Sequence, residues 1–267
     1  MIEDAPRPIH PDRPIHATAR DALAWLGVMP RRRAVIAGRC VSYYSKRELL
    51  RIYEDVFVTQ DYQFATAARS PTILDCGAHI GLSVLYFKSR YPAAQIVAFE
   101  PNPTIFPLLT RNVEDNGLAG VTLINAAVAP VAGQIDFYVD KRGPGQWTWG
   151  GAGVRNQWLR PGNHRTIQVP ALSLASFITR DIDLLKLDVE GMEGPVIASI
   201  VPVLHRVKEL ILEFHGSASN PANNLDRILA TLARAGFSTT LRQGTHTVTP
   251  DQVARTDPFW LVLNARR

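Results

Sequence analysis

The chain has 267 residues, of which 46% are hydrophobic and 20% charged, a balance that supports a globular fold with a substantial core. It contains no run of about 18 apolar residues, and its first twenty residues are polar and proline-rich, so the sequence predicts a cytoplasmic protein with neither a membrane span nor a secretory leader. The formal net charge of +5 comes mainly from scattered arginines; without interleaved aromatics or an RNA-binding motif, this predicts no nucleic-acid and no membrane partner.

Residues 1–16 carry four prolines and read as an extended arm. Residues 17–28 have a helical pattern, and 34–64 carry short apolar runs and a helix with Tyr43, Tyr44, Tyr53 and Tyr62. Residues 1–70 are thus expected to be an arm and a lid or packing segment, which could equally serve a homodimer contact. After Pro71 the rhythm changes. Strand-like TILDC, IVAFE, VTLINAAV, DLLKLDV, ELILEFH, FSTTLR and FWLVLN are interleaved with helices near 82–90, 103–116, 193–204 and 222–236. That alternation predicts a doubly wound, Rossmann-like α/β sheet of seven strands over residues 71–267. Residues 130–180 interrupt it with a β-rich insertion: the half-exposed strand QIDFYVD, the stretch RGPGQWTWGGAG and the strand TIQVP. A segment of that length without clear helix is expected to form a flap over the substrate, with Trp147 and Trp149 stacking on it. Cys40 and Cys76 lack metal-ligand spacing, and Cys76 reads as a buried strand end, so no disulfide is expected.

The most informative segment is TILDCGAHIGLS. A buried strand reaches Asp75, turns through Gly77 and Gly81, and enters a helix; glycines allow the sharp turn and close approach to a ligand. The next strand ends at Phe99 and Glu100, followed by Pro101, and a carboxylate there can accept hydrogen bonds from both hydroxyls of a ribose. Charge then separates two cofactors. A pyrophosphate wants bare backbone N–H groups and a G-x-G-x-x-G loop, whereas Asp75 would repel phosphate and suits a ligand with an ammonium and a sulfonium. The reading is S-adenosylmethionine, with an NAD-dependent oxidoreductase on the same scaffold as the competing one.

DCGAHIG, FEPNP, INAAV, KLDVEGMEGPVI and ILEFH, in this order and spacing, resemble the FkbM family of S-adenosylmethionine-dependent methyltransferases, from about Tyr53 to the end of the sheet. The resemblance implies methyl transfer to a hydroxyl of a sugar, macrolide or other small natural product, with a nitrogen or carboxylate acceptor as the alternative. It places Asp75, Gly77, Ala78 and Gly81 along the methionine half of the cofactor. Glu100 and Pro101 fall at the ribose, Asn125 and Ala126 near the adenine, and Asp188 at the cofactor's acceptor side. His79 departs from the family's usual asparagine, and Pro195 stands where a longer polar residue is common.

A hydroxyl acceptor must lose a proton, so a general base or a stabilising cation is useful. Strand alternation puts Lys186 with Asp188, and Glu213 with His215, at the carboxyl ends where an acceptor should sit. His215 is the expected proton acceptor, because its ordinary pKa is close to neutrality, with Asp188 orienting the substrate or sharing the base role. Glu213 joins the catalytic set and Glu190 the substrate contacts. No metal is expected as a required cofactor, although Asp188, Glu213 and His215 could hold a divalent ion.

Overall fold

The computed structural model describes residues 32–141, 152, 153, 162, 164–255 and 257–267. The expected arm (1–16), the helical stretch 17–28, Trp147 and Trp149 lie outside the described residues. Strands β1 (Arg32–Ile36) and β2 (Arg39–Tyr43) form an antiparallel hairpin. Helix α1 (Lys46–Tyr53) follows, capped by the Ser45 hydroxyl accepting from Glu48 N, and continues as a π-helical turn, Glu54–Val58. Apolar side chains of this segment, Val41, Leu49, Val56, Tyr62 and Phe64, bury themselves in one cluster with Ile73, Leu82, Leu85 and Leu108. The segment expected as a lid is therefore packed into the core that covers one face of the sheet. Asn112, fully buried, fastens it: its Nδ2 donates to Ser42 O (3.0 Å) and Ile80 O (2.8 Å), and its Oδ1 accepts from Ser42 N (2.6 Å).

The main body runs β3 (Thr72–Cys76), α2 (Leu82–Arg90), β4 (Gln95–Phe99), α3 (Phe106–Glu114) and β5 (Val121–Ile124), followed by β6 (Ala127–Ala129), β7 (Gly133–Asp140) and β8 (His164–Ser173). It then returns through β9 (Ile182–Leu187), α4 (Glu193–Ser199), β10 (Val207–Gly216), α5 (Leu225–Arg234), β11 (Ser238–Gln243), β12 (His246–Val248) and β13 (Phe259–Arg266). The sheet order is β12-β11-β13-β10-β9-β3-β4-β5. Strands β10, β9, β3, β4 and β5 are parallel, and β13 runs antiparallel between β10 and β11. Every residue of β9 is buried, as expected of a central parallel strand covered on both faces. Successive strands leave β3 in one direction and β9 in the other, so the switch point, where ligands of such sheets gather, lies between them.

The seven expected strands are present, with an eighth, the short β12, pairing on β11. VTLINAAV is two strands rather than one: β5 belongs to the main sheet, while β6 pairs with β8 in a separate three-stranded sheet, β6-β8-β7. The break falls at Asn125, whose side chain donates to Glu100 O (2.7 Å) and turns the chain away. The insertion is thus built on the long β7–β8 ladder. The helix expected over 193–204 stops at Ser199 and tightens into a 3-10 turn, Val201–Arg206, where Pro202 offers no N–H. Cys40 and Cys76 are both free. Among the described residues, no helix is long and apolar enough to cross a membrane.

Candidate active site

The turn after β3 is clamped between its two neighbours. Gly77 N and Ala78 N donate to Phe99 O (3.0 and 2.9 Å) at the end of β4, and Asp188 N donates to Cys76 O (3.0 Å) at the end of β9. Gly77 has φ +89°, and a Cβ there would stand 1.9 Å from the carbonyl oxygen of Asp188. Only glycine fits. Gly81, also left-handed, opens α2, and Ala78 is buried.

Glu100 sits beneath this turn. Its Oε2 accepts from His79 N (2.9 Å) and its Oε1 from Asn102 N (2.8 Å). Burial pushes its carboxyl up to about 7, and the two backbone hydrogen bonds only partly oppose that. Pro101 is half-buried beside it, Asn125 is exposed at the rim and Ala126 is buried. His79 is half-buried with φ +48°, and burial lowers its imidazole to about 4, which keeps it neutral.

Asp75 does not line the crevice as expected. Its side chain is fully enclosed: Oδ2 accepts from Ser83 Oγ (2.6 Å), and Oδ1 stands 3.3 Å from Lys186 Nζ. It acts from below, holding a lysine that also donates to Gly77 O (2.7 Å) and pairs with Asp188 Oδ2 (3.3 Å). Burial disfavours the ammonium, but Asp75, Asp188 and Glu213 outweigh that and hold Lys186 charged.

At the ends of β9 and β10 the expected residues converge, joined by others. His215, 8% exposed, donates from Nδ1 to Glu193 Oε1 (3.0 Å), and its Nε2 faces Glu190 Oε2 at 3.6 Å and Glu213 Oε1 at 4.0 Å. Glu193, wholly buried, also accepts from Gly191 N (3.0 Å) and from Asn223 Nδ2. Glu190 is held at φ +53°, a left-handed conformation that costs a non-glycine residue on the order of 1 kcal/mol. Glu213 accepts a hydrogen bond from the Tyr62 hydroxyl (3.1 Å), brought in by the N-terminal segment. Burial pushes His215 down, yet Glu190, Glu193 and Glu213 together hold it protonated well above its ordinary value. An imidazolium has no lone pair to take a proton, so the base role expected of His215 does not fit its surroundings.

The metal-compatible group also differs from the expected one. Among the described residues it is Asp188, Glu190 and His215, with Glu190 in place of Glu213. Glu193, Tyr62, Ser83 and Asn223 were not singled out from the sequence. Glu193 reads there as an acid in the first turn of a helix, and Tyr62 lies 151 residues from its partner. Pro195 is half-buried in α4.

These features define a doubly wound α/β protein with a polar crevice at its switch point. Residues 75–239 match the methyltransferase FkbM domain. The chain belongs to that family and is a methyltransferase. It is 32% identical over 188 residues to methyltransferase sdnD of Sordaria araneosa, covering 60% of this chain and 73% of that one. The 31-O-demethyl-FK506 methyltransferase FkbM of Streptomyces tacrolimicus is 25% identical, over 77% of this chain and 88% of its own. The 2-O-methyltransferase NoeI of Sinorhizobium fredii is 27% identical, over 54% of this chain and 63% of its own.

Proposed function

We propose that the chain is an S-adenosylmethionine-dependent O-methyltransferase whose acceptor is a hydroxyl of a sugar or other small natural product. The observation that carries this reading is the shared wall between Gly77 and Asp188, where no Cβ fits. A cofactor lying on the glycine turn, with its ribose at Glu100, presents its methyl carbon to the polar ends of β9 and β10. Transfer is an in-line displacement, so positioning supplies much of the catalysis. The crevice is lined by carboxylates, and Lys186 is already shared between Asp75 and Asp188. That environment favours a sulfonium and an ammonium over the pyrophosphate of NAD. Two relatives are named for action on oxygen, which supports a hydroxyl acceptor.

In this reading Glu213 takes the acceptor's proton. It is the more open of the two glutamates facing His215 Nε2, 25% exposed against 18% for Glu190, and Tyr62 fixes its orientation. Asp188 orients the acceptor, and the charged face of His215 favours the carboxylate form of its neighbours.

Calorimetric titration with S-adenosylhomocysteine and with NAD tests the cofactor: saturable binding of the first and none of the second is expected, and the reverse overturns the proposal. Incubation with methyl-labelled cofactor and a panel of glycosides and macrolides tests the acceptor. The label should appear on oxygen, and label on nitrogen or carboxylate rejects the hydroxyl assignment.

A further inference from the structure

We propose that Asp188, Glu190 and His215 form a binding site for a divalent metal cation at the acceptor end of the crevice. One ligand atom from each lies within 4.8 Å of the other two. Donors bound about 2.1 Å from one ion stand roughly 3–4 Å apart, so small adjustments close the group around a cation.

The imidazole separates this group from a mere collection of acids. His215 is more than nine-tenths buried, and its Nδ1 is committed to Glu193. With that nitrogen carrying the proton, the lone pair of the neutral ring sits on Nε2, aimed at Glu190 and Glu213 from 3.6 and 4.0 Å. Neither separation is a hydrogen bond. A ring nitrogen and carboxylates that face one another without bonding leave a position suited to a positive ion. Glu193 supplies the support such a ligand needs, since metal-binding histidines commonly donate their other N–H to a carboxylate, which fixes tautomer and ring orientation. The wider charge balance agrees: Asp75, Asp188, Glu190, Glu193 and Glu213 surround Lys186 and His215, so carboxylates outnumber basic side chains five to two.

One imidazole nitrogen with two carboxylate oxygens suits a first-row ion such as Mn²⁺ or Zn²⁺ better than Mg²⁺, which prefers oxygen alone. A cation there would stabilise an alkoxide developing on the acceptor. The site lies at the acceptor end proposed above, but its occupancy is measured without turnover, so either proposal can fail alone.

The test uses the full chain stripped with a chelator and titrated with Mn²⁺, the free ion being followed by electron paramagnetic resonance. One saturable site per chain is expected. Glu190→Gln and His215→Ala should each weaken binding at least about tenfold, and Glu193→Gln by about ten- to a hundredfold, with the circular dichroism spectrum retained. Zn²⁺ competing for the same site supports the proposal. Absence of saturable binding of Mn²⁺ and Zn²⁺ overturns it, as does binding that Glu190→Gln leaves unchanged. Glu190 is the partly exposed ligand, so its variant keeps the test decisive if His215→Ala does not fold.

Discussion

Lys186 donates a 2.7 Å hydrogen bond to the carbonyl of Gly77, so a cation buried at the centre of β9 holds the turn that follows β3. The same ammonium stands 3.3 Å from both Asp75 and Asp188 and 4.9 Å from the centre of the Tyr62 ring. Lys186→Met keeps most of the volume but leaves the enclosed Asp75 without its counter-charge. Removing one partner of a buried pair costs about 3–5 kcal/mol, and a fall of that order in unfolding free energy is expected from urea denaturation. Adding Asp75→Asn should restore part of the loss. If the double variant is no more stable than the single one, Asp75 does not depend on Lys186 for its charge.

Gly77→Ala is expected to disable the turn. The added methyl would meet a backbone oxygen at 1.9 Å, in a backbone region that L-residues rarely adopt. The strain alone is of order 1–3 kcal/mol, and relieving the contact forces β3 and β9 apart. Binding of S-adenosylhomocysteine should be lost in a protein that still folds, since the remainder of both strands is untouched. Retained affinity would mean that the cofactor does not lie on this turn.

Much of this arrangement is legible in the sequence because it is local. TILDC and DLLKLDV are apolar runs of strand length, Gly77 and Gly81 mark the turn, and Glu100 closes the next strand. The pairings that set the chemistry are not local. Asp75 reads as a crevice carboxylate because nothing in its neighbourhood reveals Lys186, which closes over it from β9. His215 reads as a base until Glu193, from the start of α4, is seen to occupy Nδ1. The split of VTLINAAV is hidden because Asn125 turns the chain through a side-chain hydrogen bond, and β12 is too short and polar to stand out from a loop.

Glu100 gives a pH signature. Its folded-state carboxyl is raised by burial to about 7, so the folded chain keeps a proton that the unfolded chain has already released. The sign follows: its contribution is fully present below the ordinary value of about 4.3 and is lost as pH rises through about 7, a displacement worth roughly 3 kcal/mol. Glu100→Gln cannot titrate. Relative to wild type, its stability without cofactor should therefore improve between about pH 5 and pH 8, by up to roughly 3 kcal/mol, whatever its starting offset. Urea unfolding across that range measures the difference directly. A constant difference would show that Glu100 titrates as an ordinary surface acid.

Tyr62 tests whether the N-terminal segment takes part in the chemistry or only covers the sheet. Its hydroxyl donates to Glu213 Oε2 at 3.1 Å. Burial, followed by the nearby charges of Glu213 and Asp188, keeps the phenol neutral and able to donate. Tyr62→Phe retains the ring over Lys186 and removes only that donor. Glu213 remains partly open to water, so the stability cost should stay near about 1 kcal/mol. The freed carboxylate loses its fixed orientation, and misplacement of a reacting group is expensive in rate. With a turnover assay in hand, kcat should fall by roughly tenfold at saturating cofactor while affinity for S-adenosylhomocysteine is unchanged. Glu213→Gln should lower kcat further, by about 10²–10⁴, as expected for loss of a general base. Combining the two changes should add nothing to the effect of Glu213→Gln, because Tyr62 acts through that carboxylate. An additive double variant would place Tyr62 in contact with the acceptor itself.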